Sequence, residues 1–349
     1  MVAIVRAAAL SNFVEVAREL GLDPIAAVRA AGIDPRALTE PEMRLPTADV
    51  ARLLERSAEA SGCPTFALRM ARSRQLSQFG AISLLITHQA TLREGLATII
   101  EYRNLLNESL ALSLEEHGDL VILREELVVA EGGPMPQAYE LAIGAIFRVC
   151  HALLGGRWRP YSVHFTHAAP ADLSVHRSVF GADVEFGSEF NGIVFSAADL
   201  DRPNPTADPA LAEYARTFVE SLPKAPSSAG GSSVAREVSK AVYLLLPVGR
   251  ASIVQVAQGV GLNPRTLQRR LAAEGEEFSL LVDRVRRDLA IRYIANPAYS
   301  LAQIARMLGY GQHSSFTRWF ATAFGAPPAA WRAGHGPPRL TDTAAEARP

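Results

Sequence analysis

Apolar residues recur at helical spacing through the first hundred positions, with stop and start signals between runs. Residues 5–20 read as one helix ended by Gly21, and Asp23-Pro24 opens the next. Gly32-Ile33-Asp34-Pro35 marks another stop and start. Helices are expected over 48–61, after Pro46-Thr47, over 84–90, and over 92–106 with Thr91 as cap. The period then switches to two. Residues 110–116 and 120–128 alternate around His117-Gly118-Asp119, which predicts a β-hairpin. Gly132-Gly133-Pro134 breaks the chain before a long apolar helix over 137–154, ended by Gly155-Gly156. A strand (161–166), a helix (172–180), two short strands (184–186 and 192–195), a turn at 201–205 and a helix (209–222) follow. Residues 1–222 thus read as one mixed α/β domain.

Farther along, one pattern occurs twice. SIVQVAQGVGL at 252–262 aligns with SLAQIARMLGY at 300–310 at a constant offset, and after one extra residue Leu267, Arg269 and Leu271 answer Phe316, Arg318 and Phe320. In each copy a serine is placed to cap a helix, a glycine permits a turn, and a second helix begins. Asn263-Pro264 is a cap followed by proline at the first helical position, where its missing N–H costs nothing. The second helix of the first copy buries Leu267 and Leu271 and shows Arg265, Gln268 and Arg269. That of the second copy buries Phe316 and Phe320 and shows His313, Ser314, Ser315, Thr317 and Arg318, with Trp319 expected to pack on the neighbouring turn. This is helix-turn-helix spacing, and one copy alone would be a weak signal. A helix over 279–294 joins the two.

The strings VGLNPRTLQRRL and SLAQIARMLGYGQHSSFTRWFATAFGAPPAAWR resemble the DNA-binding domain of the AraC/XylS family of bacterial transcription regulators. Gly309-Tyr310, the Phe316-x-Arg318-x-Phe320 pattern, and Gly325-Ala326-Pro327-Pro328 carry the likeness. The earlier strings EYRNLLNESLALSLEEHGDLV and HRSVFGADVEFGSEFNGIVFSAADLDRPNPTADPAL are similar to the arabinose-binding-like sensor of one branch of that family. The resemblance implies base and phosphate contacts at Arg265, Gln268, Arg269, His313, Ser314, Ser315 and Arg318. It also implies double-stranded promoter DNA, a small-molecule effector other than necessarily arabinose, a homodimer and, for an activator, RNA polymerase as partners.

Charge agrees with this division. Residues 235–334 hold 13 Lys and Arg against 6 Asp and Glu, a net +7, while the rest holds 22 against 30, a net −8. Cys63 and Cys150 are too few and too far apart for a disulfide framework. No apolar run spans a bilayer, and the N-terminus reads as mature protein, so a cytoplasmic location is expected.

Rival chemistry is thinner. His164, His167 and His176 suggest a metal, but His164 and His167 fall on opposite faces of a strand and no carboxylate is expected near them, so no metal or other cofactor is assigned. Glu115-Glu116 and Glu125-Glu126 read as solvated charges on a sheet edge rather than as a catalytic pair. No phosphate-binding or nucleophile motif occurs. Tyr102, Arg103, Tyr139, Arg148, His151 and Trp158 are groups that an effector pocket could use, although packing is the favoured role of each.

The expectation is therefore an α+β protein: an effector-binding and dimerisation domain over 1–222, a flexible linker over 223–234, an all-α domain with two helix-turn-helix units over 235–334, and a disordered tail over 335–349. A regulator without catalytic residues is the first reading. A small-molecule or metal-dependent enzyme with an accessory DNA-binding module is the second.

Overall fold

The first residues depart from the expected helix. Val5 and Arg6 lie in strand β1 (Ile4–Arg6), and a 3-10 turn over Ala7–Leu10 precedes helix α1 (Phe13–Glu19). Asn12 between them has φ of 69°, which no α-helix can continue through. Helix α2 (Pro24–Ala30) is capped by Asp23, whose carboxylate accepts from the N–H groups of Ile25 and Ala26. Strand β2 (Arg44–Pro46) pairs antiparallel with β1, Val5 opposite Leu45. Helices α3 (Thr47–Ser61), α4 (Phe66–Arg72), α5 (Ala81–Thr87) and α6 (Leu92–Leu106) follow, and Thr91 caps α6 by accepting from the Glu94 N–H. α4 was not expected; it is only seven residues long and buries five of them, leaving Arg69 and Arg72 as its polar positions, too few to set a helical period.

The hairpin forms as β3 (Leu110–His117) and β4 (Leu120–Leu127) around Gly118 and Asp119. Then come α7 (Pro136–Leu153), β5 (Ser162–Phe165), α8 (Ser174–Phe180), β6 (Asp183–Phe186), β7 (Asn191–Ser196), the single turn α9 (Ala197–Leu200) and α10 (Pro209–Ser221). The sheet order is β3-β4-β7-β5-β6, with only β5 and β6 parallel. α7 packs on β4 and β7 and also against α3 and α4, so its apolar surface is covered on more than one side. Phe147 on α7 meets Trp158 and Phe180, and Trp158 in turn meets Phe195 of β7.

The computed structural model describes residues 2–129, 135–222 and 233–335. Gly132-Gly133-Pro134, nearly all of the expected linker and the expected tail lie outside the described residues. The chain divides into two compact units, Met1–Ser233 and Val234–Pro349. The second is helical among its described residues: α11 (Val234–Leu245), α12 (Ile253–Gly259), α13 (Pro264–Ala273), α14 (Phe278–Ala295), α15 (Leu301–Met307), α16 (His313–Phe324) and α17 (Pro328–His335). α14 is its long central helix, packing against α11, α15 and α17. No described helix is long and apolar enough to cross a membrane.

Candidate functional site

Both repeats fold as the sequence pattern requires. Ser252 Oγ accepts from the Gln255 N–H at 3.4 Å, and Ser300 Oγ from the Gln303 N–H at 3.2 Å. Gln303 reaches back to the Ser300 N–H, completing a capping box. Ala257 and Ala305 are buried, and the turns after them are near-copies. The Leu262 N–H donates to the Ala257 carbonyl and the Tyr310 N–H to the Ala305 carbonyl, each at 2.8 Å. Gly261 and Gly309 make those turns with φ of 69° and 79°, a left-handed region that strains any residue with a Cβ. Asn263 then caps α13 through its Oδ1 and the Thr266 N–H at 2.8 Å.

The structure brings the seven expected residues out on the two following helices. Leu267 and Leu271 of α13, and Phe316 and Phe320 of α16, are fully buried. Arg265, Gln268 and Arg269 on α13 and His313, Ser314, Ser315 and Arg318 on α16 are all exposed. Glu274, the acidic residue that sequence proximity offered to Arg269, instead accepts from the N–H groups of Val234 and Ala235 at 2.8 and 3.1 Å. Among the described residues, Arg265, Arg269 and Arg318 form no ion pair. Three flexible cations with no carboxylate partner on two repeated helices leave their charge for a polyanion. Arg270 and Arg306, not among the expected set, are also exposed.

Thr317 and Trp319 turn away from this role. The Thr317 hydroxyl donates to the His313 carbonyl at 3.0 Å. Trp319 Nε1 donates to Asp283 Oδ1 on α14 at 2.9 Å, and its ring packs against Tyr310 and Phe324. Burial would raise the Asp283 carboxyl, but hydrogen bonds from Arg287 and Trp319 hold it below the ordinary range. Trp319→Phe keeps most of the ring packing and loses the hydrogen bond. The expected cost is about 1 kcal/mol of stability in the helical unit. A chemical melt followed by circular dichroism checks it; an unchanged midpoint would show that the Asp283 bond contributes nothing.

A second site lies wholly inside the first unit. A partly open cavity of about 130 Å³ is lined mainly by aliphatic side chains, among them Val50, Leu54, Ile99, Leu112, Leu141 and Ile146. Arg6, Arg74, Gln78, Thr47, Asn107 and Glu125 supply its polar groups. Tyr102, Arg103, Tyr139, Arg148, His151 and Trp158 do not line it. They serve internal bonds instead: Tyr139 donates to Glu126 Oε2 at 2.8 Å, Trp158 Nε1 to Asp199 Oδ2 at 2.9 Å and Arg148 Nε to the Arg74 carbonyl at 3.2 Å.

Glu125 corrects the reading of solvated edge charges. β4 is an interior strand, flanked by β3 and β7. Glu125 shares a face with Val121, Leu123 and Leu127, and it is 1% exposed; Glu126 is 6% exposed on the other face. Burial first, and the Glu126 charge second, push the Glu125 carboxyl up to about 8. Its Oε1 has no hydrogen-bond partner among the described residues. The sequence signal was present in the spacing: V-x-L-x-E-x-L puts Glu125 on the apolar register of its strand.

The histidines also need a correction, since a carboxylate lies beside each of them. Glu140 on α7 is 2.9 Å from His176 Nε2 and 3.6 Å from His167 Nε2; Glu140 and His176 are buried and His167 is partly exposed. His164 is apart, between Ser162 and Ser188, stacked on Phe190 and 3.6 Å from a Glu185 carboxylate oxygen. No group of three or more such side chains among the described residues is arranged to hold a metal ion. Cys63 and Cys150 are buried free thiols.

Comparison with known proteins follows the same division. Residues 21–204 match the family described as the arabinose-binding domain of AraC transcription regulators, N-terminal, and residues 256–334 match a helix-turn-helix domain family. The chain is 34% identical over 332 residues to the HTH-type transcriptional regulator VirS of Mycobacterium tuberculosis, covering 95% of this chain and 96% of that one. It is 24% identical over 316 residues to the ornithine utilization regulator of Pseudomonas aeruginosa, covering 90% and 92%. Among solved structures, the transcriptional regulator CdpR from P. aeruginosa aligns with a TM-score of 0.42 at 21% identity, over 90% of this chain and 97% of that one.

Proposed function

The chain belongs to the AraC family of transcription regulators, with an arabinose-binding-like N-terminal domain and a helix-turn-helix DNA-binding domain, and from that premise we propose how its parts divide the work. α13 and α16 enter successive major-groove segments of double-stranded promoter DNA. Arg265, Gln268 and Arg269 read one segment; His313, Ser314, Ser315 and Arg318 read the next. Residues 1–222 bind a small-molecule effector and form a homodimer. Residues 223–234 join them to the DNA-binding domain over 235–334, and the bound regulator meets RNA polymerase. The protein acts without catalysing a reaction.

The observation that carries this reading is the repetition of one geometry. Two capped, glycine-turned helix pairs each present an exposed polar set on the second helix, with Arg265, Arg269 and Arg318 in no ion pair among the described residues. Helix-turn-helix units sharing one DNA face contact major-groove segments about one helical turn, roughly 34 Å, apart. Footprinting of the full chain on DNA selected from a random pool tests this. Two protected segments at that spacing, doubled in a two-part site by a dimer, are the expected pattern. Protection confined to one segment would remove α16 or α13 from the interface, and a monomer in light scattering with and without DNA would remove the dimer.

A further inference from the structure

The cavity in the first unit contains one buried cation to which no described residue supplies a counter-charge, and one buried carboxyl with an oxygen left unpartnered among the described residues. Arg74 is 7% exposed. Its guanidinium donates to the Ala8 carbonyl and lies 5.8 Å from the Phe79 ring centre, but no carboxylate among the described residues pairs with it. The neighbouring cation, Arg6, is already held by Glu42 and the Phe79 carbonyl. Glu125 lines the same cavity with an unpartnered Oε1. Burying an ion without a partner is expensive, so such groups mark places where a partner arrives from outside.

We propose that this cavity is the effector site and that it takes a compact apolar monocarboxylate, the carboxylate bound by Arg74 and the body by the aliphatic walls. The inference rests on the reading of residues 1–222 as the effector-binding domain. Three features select the ligand class. First, size: a cavity of 130 Å³ is near the roughly 150 Å³ that admits a benzene ring. Second, polarity: a sugar of that size would leave most of its hydroxyls against aliphatic carbon, each unpaired. Third, charge. Arg74 stays cationic at neutral pH even though burial lowers its pKa to about 10, whereas Glu125 is held uncharged. With Arg6 neutralised by Glu42, the walls carry one net positive charge. A guanidinium meets a carboxylate through two parallel hydrogen bonds, and among mostly apolar walls that pair is stronger than in water. The protonated Glu125 does not repel the anion, and its O–H gives a second donor in the wall.

Calorimetric titration of the full chain with cyclohexanecarboxylate and hexanoate tests this, with cyclohexanecarboxamide, cyclohexylmethylamine and arabinose as comparisons. The two acids should bind and raise the melting temperature; the amide, the amine and the sugar should not. Arg74→Gln should weaken the acids by roughly thirtyfold or more, the usual result of removing one partner from a buried charge pair. The preference among ligands is read on the unaltered chain, so it stands even where Arg74→Gln fails to fold. Binding of the amide as tight as the acid, tighter binding of the amine, stabilisation by arabinose alone, or no response to either acid at millimolar concentration would each overturn the proposal. So would an Arg74→Gln protein that folds and keeps its affinity. Operator binding measured on the same preparation separates the two levels. Specific DNA binding without acid binding rejects this ligand class only, whereas loss of specific DNA binding in the unaltered chain rejects the regulator geometry on which it rests.

Discussion

Arg318→Ala should impair operator binding at least as much as Arg269→Ala while leaving the fold and effector binding intact. The two arginines occupy the same place in the two repeats, and both are exposed without a carboxylate partner among the described residues. Their surroundings differ. α13 carries Arg265, Arg269 and Arg270, so loss of one leaves two cations on that helix. α16 has Arg318 as its only Lys or Arg, so the same change leaves it without a permanent positive charge. The form of the loss identifies the contact. A base contact costs about 1–3 kcal/mol and relaxes preference at one base pair, whereas a phosphate contact weakens all sequences alike and lowers the salt slope by about one. Titrations on operator and scrambled DNA at two salt concentrations distinguish these. Unchanged affinity for both DNAs after Arg318→Ala would remove α16 from the DNA surface.

What could be read from sequence depended on whether a signal was local. The helix-turn-helix units were legible because every determinant lies within a few residues: Ser252 or Ser300 as cap, Ala257 or Ala305 at the crossing, Gly261 or Gly309 in the turn. The repeat then supplied an internal control. The hairpin was legible because alternation and a turn fix register without outside help. β1 and β2 were not, since a three-residue strand shows no period and each exists only by pairing with the other. Glu125 failed for a related reason. A charged pair on a hairpin looks solvated until β7, far along the chain, covers the other side of β4. Arg74 sits in a short connection after α4 that carries no period at all, and only the packed structure shows it buried. The exposed polar faces of α13 and α16 were thus readable residue by residue, and the cavity of the first unit was not.

Glu125→Gln should stabilise the first unit against unfolding, and by more as the pH rises. The wild-type carboxyl titrates near 8 in the folded state because burial, and then Glu126, disfavour its charge; in the unfolded chain it titrates near the ordinary 4.5. A raised folded pKa means that the native state binds the extra proton between those values. Stability is therefore fully present below about 4.5, falls as pH rises through the interval, and levels off above about 8. Glutamine has nearly the same shape and no proton to lose. At neutral pH it should recover roughly 3 kcal/mol, from a displacement of about two to three pH units at 1.36 kcal/mol each. Near pH 5 the two proteins should differ by only about 1 kcal/mol, because most of the linkage has yet to develop. Urea melts of both proteins across that range measure the difference directly. Parallel stability curves would mean that Glu125 titrates normally and is not sealed in the cavity wall. A residue that lowers stability on an otherwise apolar strand face is what a binding site retains and a packing position does not. The same substitution therefore separates those two explanations of Glu125, by stability alone, before any effector is identified.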